Sequence, residues 1–444
     1  MNQPNIVFMI SHDTGRYLGT YGHKVESPNI DELAEKGIKF NQFYCPAPQC
    51  SPSRASIMTG LYPHNNGMLG LAHKNFSING DKTTLPKELK KAGYETNLIG
   101  FSHETIGDEP EGVVSSTYKL GYDNYQEVPG NFAPQVTDHV EDFLDNKATT
   151  TDNKPFFVNI GFEETHRPFD HYEDEADDIN DVEVLSYLPD TENIRKDLAL
   201  LNGSVKVFDR AVGRIIRKLE ETGLDKDTIV ILTTDHGLPV PRGKGSLKDA
   251  GLETLLIAYS PNLIERNKEM DQLLCNIDLM PTLLELAGAQ IPDDLDGKSF
   301  ASLLTGSEEK VREEFFCEMT WHDRYHPMRG IRTENYKYVL NLEDGPMIYM
   351  PVDTHKSIAG QDVQEQYYVP NEEEELYDLT KDPLEEKNRI SDPAYLQIAE
   401  ELRTKVNNWM KETNDPLLHG TVEGVESKQW AEEEAKGTTY QGRK

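Results

Sequence analysis

Cys50 and Arg54 belong to the stretch whose chemistry is clearest from the sequence, Cys-Ser-Pro-Ser-Arg, which runs on to Thr59 and Gly60. Pro52 is typical of the first turn of a helix, a neighbouring serine can cap the free N–H groups, and Gly60 suits the exit, so the pattern predicts a helix here. Cys50 would then lie at the positive end of the helix dipole, where anions bind. Arg54 would follow one turn later on the same face. The alternative interpretation is a buried free cysteine beside a surface arginine.

The motif Cys-x-Pro-Ser-Arg with Thr-Gly downstream resembles the signature of the type I sulfatases, in which this cysteine is oxidised to formylglycine. The resemblance spans nearly the whole chain and is strongest to the sulfamidases, the heparan N-sulfatases. It implies that a formylglycine-generating maturase converts Cys50. A hydrated aldehyde has two hydroxyl groups on one carbon, one to attack sulfur and one to drive the release of sulfate, so a difficult step is split into two. The resemblance also rests on motifs at His64–Met68, Asp235–Pro239, His326–Arg329, Glu375–Asp378, Asp382–Pro383 and Glu412–Pro416.

Carboxylates at two predicted strand ends, Asp13 and Asp235, suit a divalent cation. Either aspartate alone could equally be a helix cap or a turn residue. The resembled family has paired aspartates at the first position and Asp-Asn at the second, around calcium, whereas this chain has His12-Asp13 and Asp235-His236. The resemblance therefore implies a site of Asp13, Asp235, His236, His12 and Cys50. Calcium is expected first, with manganese or zinc as alternatives because imidazole nitrogen replaces oxygen.

His103 and His166 follow two further predicted strands and match the two catalytic histidines of the family. A lone histidine is more often structural, but two at neighbouring strand ends favour catalysis. The resemblance implies that His166 protonates the leaving group and that His103 takes a proton when sulfate is expelled. By the same resemblance, Asp235 activates the attacking hydroxyl and Arg54 holds the hydrated aldehyde.

A lysine that the family places two residues before the first histidine is replaced by Phe101, so one expected cationic contact with sulfate is missing. Lys244 matches the family's second sulfate-binding cation, within a glycine-rich stretch that suits close approach to an anion, and Arg242 is its alternative. His322 and Arg329 are predicted to select the sugar, since a bidentate arginine suits a carboxylate or a second sulfate. A structural salt bridge is an equally good account of these residues.

Four segments are predicted to form the strands that carry these residues, the apolar run at 5–10 and the segments at 95–100, 155–161 and 228–233. Helices are predicted between them, including a long one over 194–219. This alternation predicts an α/β fold with a doubly wound, mostly parallel sheet, whose ligands bind beyond the carboxyl ends of the strands. The resemblance implies that the fold is alkaline-phosphatase-like. Antiparallel strands and a helix over 394–411 predict a smaller α+β domain. We therefore predict a catalytic domain at 1–310, the smaller domain at 311–420 and a polar tail at 421–444.

The chain of 444 residues has 78 acidic and 45 basic residues and a formal net charge of −33. Nucleic-acid binding through a basic face is therefore not expected. The first residues lack the pattern of a secretory leader, and no apolar run is long enough to span a bilayer. Four cysteines predict no disulfide framework. These features predict a soluble, cytoplasmic enzyme, and the resemblance adds a possible homodimer.

The sequence thus predicts a sulfatase that removes a sulfate ester or an N-sulfate, for example of N-sulfoglucosamine, from a sulfated saccharide. Two alternatives remain open at this point. One is a phosphodiester or phosphonate monoester hydrolase of the same superfamily, where an Asp-His metal pair also occurs. The other is a non-catalytic glycan-binding relative, which the missing lysine suggests.

Overall fold

A computed structural model describes residues 3–104, 119–151, 154–307 and 309–424. Its strands are β1 Asn5–Ser11, β2 Ile38–Phe40, β3 Phe43–Tyr44, β4 Glu95–Gly100, β5 Asn124–Gln126, β6 Phe156–Gly161, β7 Thr228–Thr234, β8 Leu256–Tyr259, β9 Lys268–Met270, β10 Leu274–Cys275, β11 Glu314–Trp321, β12 Tyr325–Thr333, β13 Tyr336–Asn341 and β14 Glu374–Asp378. Its α-helices are α1 Pro28–Lys36, α2 Cys50–Thr59, α3 Pro63–Asn66, α4 Leu85–Lys91, α5 Ala133–Thr149, α6 Glu192–Thr222, α7 Asp249–Leu252, α8 Leu279–Leu286, α9 Ala301–Leu304, α10 Val352–Lys356, α11 Ile358–Tyr367 and α12 Leu396–Glu412. No helix among these residues is long and apolar enough to cross a bilayer.

The large sheet has the strand order β5-β4-β6-β1-β7-β8-β2-β9. The five strands from β5 to β7 run parallel, and only β8 is antiparallel to both of its neighbours. This arrangement confirms the predicted α/β class and the mostly parallel sheet. The four predicted strands are β1, β4, β6 and β7, which lie side by side, so the residues that follow them meet at one edge.

Alternate residues of β1 pack into different cores, as expected for a strand that is covered on both faces. Val7 and Met9 join the core beneath α5 and α6, while Phe8 and Ile10 join the core beneath α2, α4 and α8. The predicted long helix is α6, whose N-cap Thr191 accepts a hydrogen bond from the backbone N–H of Ile194. Both layers hold the central strands in fixed positions and so fix the site at their ends.

Helix α2 begins at Cys50 and ends at Gly60, which adopts the left-handed conformation with φ of 66°. The N-cap is Gln49 and no side chain caps the helix, so the predicted serine cap is wrong. The serines instead attach the helix to its surroundings: Ser51 Oγ accepts a hydrogen bond from the backbone N–H of Ala72, and Ser53 Oγ donates to the carbonyl of Asp235. All ten residues of α2 are buried.

A second, antiparallel sheet has the order β11-β12-β13-β14 and packs against α12, which confirms a smaller α+β unit. One segment of that region returns to the larger unit, because Ile348, Met350, Val363 and Tyr367 lie in the same core as α6. The domain limits of 310 and 420 remain predictions. Most of the predicted tail, residues 425–444, lies outside the described residues.

Candidate active site

The predicted site residues follow four neighbouring strands: Asp13 follows β1, His103 follows β4, His166 follows β6 and Asp235 follows β7. Of these, Asp13, His166 and Asp235 lie close to Cys50 at the start of α2. Asp13 lies at the turn out of β1 in the left-handed conformation, with φ of 60°. This conformation is one that aspartate tolerates better than most residues. The turn brings the carboxylate of Asp13 to Cys50, with 3.8 Å between Oδ1 and the sulfur.

The Asp13 carboxylate is fully buried between two groups that can carry positive charge. Oδ1 lies 3.0 Å from His236 Nε2, and Oδ2 accepts a hydrogen bond of 2.8 Å from Lys244 Nζ. Burial alone would raise the pKa of Asp13, but Lys244 and His236 hold it well below its usual value. Asp13 is therefore an anion in the site.

Asp235 is also fully buried, and both of its oxygens accept hydrogen bonds. Oδ1 accepts from the backbone N–H groups of Asp13 at 2.8 Å and His236 at 3.0 Å, and Oδ2 accepts from Arg54 Nε at 2.9 Å. These three donors fix the orientation of the carboxylate. The geometry therefore suits Asp235 as a fixed ligand, and its predicted role as the base stays a prediction.

Cys50 Sγ lies 3.4 Å from His236 Nε2, and the residue is only 2% exposed. Burial raises the pKa of the Cys50 thiol. His236 donates from its other ring nitrogen, Nδ1, to the carbonyl of Gly237 at 3.0 Å, which fixes Nε2 towards Cys50 and Asp13. A protonated, buried thiol is a poor nucleophile, so reactivity at this position calls for a modified side chain.

The side chains of Asp13, Cys50, Asp235 and His236 offer ligand atoms within 4.8 Å of one another, and all four are buried. Two carboxylates, an imidazole and the side chain of residue 50 fit a divalent cation. His12 also fits, because its Nε2 lies 3.5 Å from Asp13 Oδ1 and from Asp235 Oδ2. Neither ring nitrogen of this buried histidine has a hydrogen-bond partner among the described residues. The donor set therefore suits a metal with mixed oxygen and nitrogen preference.

His166 and Lys244 meet on the other side of Asp13. Nδ1 of His166 donates to the carbonyl of Arg167, so Nε2 is left to accept a hydrogen bond of 3.0 Å from Lys244 Nζ. Burial and Lys244 lower the pKa of His166, against the opposing effect of Asp13 and Asp353. Asp353, from α10, accepts a further hydrogen bond from Lys244 Nζ at 3.1 Å, and its Oδ2 lies 3.8 Å from His166 Nε2.

Phe101 lies where the family pattern has lysine, and its ring packs between polar groups. The ring lies 4.7 Å from the His12 ring and 4.8 Å below the Arg54 guanidinium. Nη1 of Arg54 and Nδ1 of His103 are buried and, like both nitrogens of His12, have no hydrogen-bond partner in the described part of the chain. Buried polar atoms without partners are costly. Their concentration around Phe101 points to an oxygen-rich ligand.

Two of the predicted substrate-binding residues lie outside this site. Arg329 is fully buried and forms a bidentate pair with Asp415, and the Glu318 carboxylate lies 3.3 Å from its Nη2. Arg242 donates to the carbonyls of Leu384 and Glu385. Arg242 attaches the larger unit to the smaller one through Nη2, and Arg329 braces the smaller unit internally with all of its donors occupied. These contacts favour the structural alternative for both arginines, and their substrate-binding roles stay predictions.

His322 is buried and remains a candidate substrate-binding residue. Its Nδ1 pairs with Asp323 Oδ2 at 3.0 Å, and its buried Nε2 has no partner among the described residues. Sequence reasoning missed Asp353 and His73, whose Nδ1 lies 3.1 Å from His103 Nε2. Neither belongs to a motif; the only available signal was the position of His73 shortly after the cysteine helix.

Comparisons with known proteins show which family this chain resembles along its length. The family model described as Sulfatase matches residues 4–289, and the model described as N-sulphoglucosamine sulphohydrolase, C-terminal, matches residues 244–356. An ulvan-active sulfatase of Formosa agariphila is 31% identical over 434 residues, which cover 95% of this chain and 82% of the relative. Human N-sulphoglucosamine sulphohydrolase is 29% identical over 93% of this chain and 91% of its own.

Among solved structures, the phosphonate monoester hydrolase of Agrobacterium radiobacter has a TM-score of 0.73 at 20% identity, over 94% of this chain and 97% of that one. This likeness shows the fold alone. The Sulfatase model, by contrast, matches more than half of the chain and includes each of the strand ends that supply Asp13, His166 and Asp235. The chain therefore belongs to the sulfatase family.

Proposed function

We propose that the protein hydrolyses sulfate from a sulfated saccharide, with formylglycine made from Cys50 as its nucleophile and a divalent metal beside it. The observation that carries the proposal is the buried cluster of Cys50, Asp13, Asp235 and His236, whose ligand atoms lie within 4.8 Å of one another. The two relatives named above act on saccharides by their names. The match to the sulphohydrolase C-terminal model favours an N-sulfate, and an O-sulfate of a saccharide is the alternative.

The cationic side chains would hold the sulfate group. Lys244 Nζ is buried, and it already donates to two carboxylates and to His166 Nε2, so an incoming anion can replace one of these acceptors. Arg54 uses Nε for Asp235 and Nη2 for the carbonyl of Ser11, which leaves Nη1 for a ligand oxygen. Positive groups held in place in a buried site stabilise the developing charge without having to reorganise.

Proton transfer to the leaving group is assigned to His166 Nε2. This atom accepts a hydrogen bond of 3.0 Å from Lys244 Nζ, so it must first take up a proton before it can donate one to the leaving group. If formed from Cys50, formylglycine would supply the hydroxyl groups for attack on sulfur and for release of sulfate. Asp13, Asp235, His236 and His12 would hold a divalent metal, which would supply Lewis-acid chemistry towards the sulfate group.

Calcium is the first expectation for the metal, with manganese and zinc as alternatives that the imidazoles of His12 and His236 favour. Metal analysis of the purified protein, before and after reloading of a chelated sample with each ion, would decide between them. His12→Asp restores the carboxylate of the family pattern. We expect this variant to shift the preference towards calcium, since an oxygen ligand replaces nitrogen.

The test of function begins with mass spectrometry of the peptide that contains Cys50, after co-expression with a formylglycine-generating maturase. We expect the modified residue, and release of sulfate from N-sulfoglucosamine or from an O-sulfated saccharide. Cys50→Ala is the matched control, because it keeps the helix and removes the nucleophile. A thiol that persists at position 50, or a Cys50→Ala variant with wild-type activity, would overturn the proposal.

A phosphodiester or phosphonate monoester hydrolase is the second candidate. It is favoured by the Asp235-His236 pair, and the chain shares its fold with the Agrobacterium enzyme. The discriminating assay compares kcat/KM on a sulfate ester and on a phosphodiester with the same leaving group. Clear preference for the phosphodiester would select this alternative. A non-catalytic glycan-binding role would require binding of the saccharide without turnover of either substrate.

A homodimer and a cytoplasmic location complete the proposal. The mass of the native protein in solution tests the first, and fractionation of the source cells tests the second. Limited proteolysis would test the domain boundary near residue 310.

A further inference from the structure

Asp353 is a partly exposed carboxylate to which the mechanism above gives no role of its own. It belongs to α10, in the segment that returns from the smaller unit to the core of the larger one. Its side chain is 26% exposed, whereas those of Asp13 and Lys244 are 0% and 2% exposed. Asp353 therefore lies between the buried groups assigned to the sulfate and the solvent, on the side where the rest of a saccharide would extend.

Neighbouring groups fix the direction of both oxygens of Asp353. Oδ1 accepts a hydrogen bond of 2.7 Å from the backbone N–H of Thr354. Oδ2 accepts one of 3.1 Å from Lys244 Nζ and lies 3.8 Å from His166 Nε2. Each oxygen of a carboxylate can accept about two hydrogen bonds, and Oδ2 accepts one within the described part of the chain. Oδ2 therefore has the capacity for one further donor.

The position of Oδ2 relative to His166 indicates what that donor would be. Nε2 of His166 is the atom assigned to proton transfer, so the leaving atom of the substrate has to lie within hydrogen-bond distance of it. A separation of 3.8 Å between Nε2 and Oδ2 is too long for a direct hydrogen bond. It is short enough for the two atoms to contact groups on adjacent carbons of one sugar ring. On a sugar ring, the group next to the leaving atom is commonly a hydroxyl group.

We propose that Asp353 Oδ2 accepts a hydrogen bond from the hydroxyl group on the ring carbon next to the one that carries the scissile sulfate, and so selects saccharides in which this hydroxyl group is free. The inference rests on the proposed sulfatase function, because His166 defines the position of the leaving atom. Burial raises the pKa of Asp353, but Lys244 and then His166 outweigh this effect and hold the pKa below its usual value. The acceptor is therefore an anion, which would also repel a second sulfate on the same carbon.

The test compares one substrate with its deoxy analogue, so that only this hydroxyl group changes. The methyl glycoside of N-sulfoglucosamine has one free hydroxyl group next to the amino carbon, on carbon 3, and its partner is the 3-deoxy compound. We expect wild-type kcat/KM to be roughly 10- to 100-fold lower on the deoxy compound, the range for a hydrogen bond to a charged group. Asp353→Ala should act on both compounds with similar kcat/KM. For an O-sulfated saccharide, the same comparison uses that saccharide and its deoxy analogue.

The ratio of the two kcat/KM values separates this role from the contact with Lys244. Loss of an acceptor for Lys244 lowers kcat/KM equally on both compounds and leaves their ratio unchanged. Glu163→Ala is the matched control, because the Glu163 carboxyl group is also 26% exposed and lies 3.8 Å from the other ring nitrogen of His166, Nδ1. We expect this control to keep the wild-type ratio. Asp353→Asn, which lacks the negative charge, should act faster than the wild type on the compound with a second sulfate on carbon 3.

Three results would overturn the proposal. A wild-type ratio in Asp353→Ala would leave Asp353 as a partner of Lys244 alone. Loss of the ratio in Glu163→Ala as well would show that the preference does not depend on a bond to Asp353. An Asp353→Asn protein no faster than the wild type on the doubly sulfated compound would refute the role of the charge.

Failure of the sulfatase proposal is distinguishable from failure of this one. If the wild type releases no sulfate from any of these compounds, the sulfatase proposal fails. Calorimetric binding of the substrate and its deoxy analogue to the wild type and to Asp353→Ala then decides the role of Asp353. Tighter binding of the hydroxyl compound to the wild type alone would support the contact, and equal ratios of Kd in both proteins would refute it.

Discussion

A substitution of Arg329 tests whether this arginine stabilises the fold or binds the substrate. Its guanidinium and the Asp415 carboxylate are both 0% exposed and pair through two hydrogen bonds, and Glu318 lies beside them. Removal of one member of a buried ion pair leaves an unpaired charge in a region of low dielectric constant, which costs roughly 3–5 kcal/mol. We therefore expect Arg329→Met, which keeps the apolar stem, to lower the free energy of unfolding by this amount.

Arg403 is a matched control in the same unit. It pairs with Glu374 at 2.6 Å, but the two side chains are 38% and 25% exposed. Exposed ion pairs contribute about 0.2–1 kcal/mol, so Arg403→Met should change the free energy of unfolding several-fold less. Urea unfolding of both variants, with KM measured on a sulfated saccharide, separates the two roles. An Arg329→Met protein of wild-type stability with a raised KM would refute our reasoning and restore the substrate-binding role.

Three further predictions follow from the site and its surroundings. His166→Ala should lose roughly 100- to 10,000-fold in rate on a sulfated sugar and much less on an activated aryl sulfate, which leaves without protonation; equal losses would mean that His166 only positions other groups. Removal of metal by a chelator should lower both activity and melting temperature, because an ion bound only to the folded state stabilises it, and an unchanged melting temperature would contradict the metal site. Burial lowers the pKa of His326 from 6.5 to about 4 in the folded protein. As the pH falls, His326 of the unfolded chain is therefore protonated before His326 of the folded protein, and the free energy of unfolding decreases between pH 6.5 and about 4. His326→Phe should therefore show roughly 3 kcal/mol less loss of unfolding free energy over that range than the wild type, and an identical loss would contradict a neutral, buried imidazole.

The framework of the site could be predicted because it depends on local signals. The strands β1, β6 and β7 are largely apolar, as expected for strands buried on both faces, and parallel strands must then align their carboxyl ends. The first polar residues after these runs, such as Asp13 and Asp235, therefore had to converge. The position of Cys50 followed in the same way, from Pro52 inside the helix and Gly60 at its exit.

The sequence could not decide between the two roles of Arg329 and gave no sign of Asp353, because both residues depend on partners far away in the chain. Asp415 is 86 residues from Arg329, and Lys244 is 109 residues from Asp353. An arginine that is saturated by carboxylates and one that is free for substrate have the same local sequence. Asp353 reaches the site only because the segment around α10 returns to the core of the larger unit.

The burial of α2 has a consequence for the order of events during biosynthesis. Cys50 is 2% exposed, and every residue of the helix around it is buried against the strand ends, α3, α4 and α8. A second enzyme cannot enclose this stretch once the chain has folded, since it would first have to pull the helix out of the core. Any conversion of Cys50 must then precede folding, and molecules that fold before they meet the maturase would keep a thiol permanently. The active fraction of a preparation would thus record a race between folding and modification, set by the supply of maturase during synthesis.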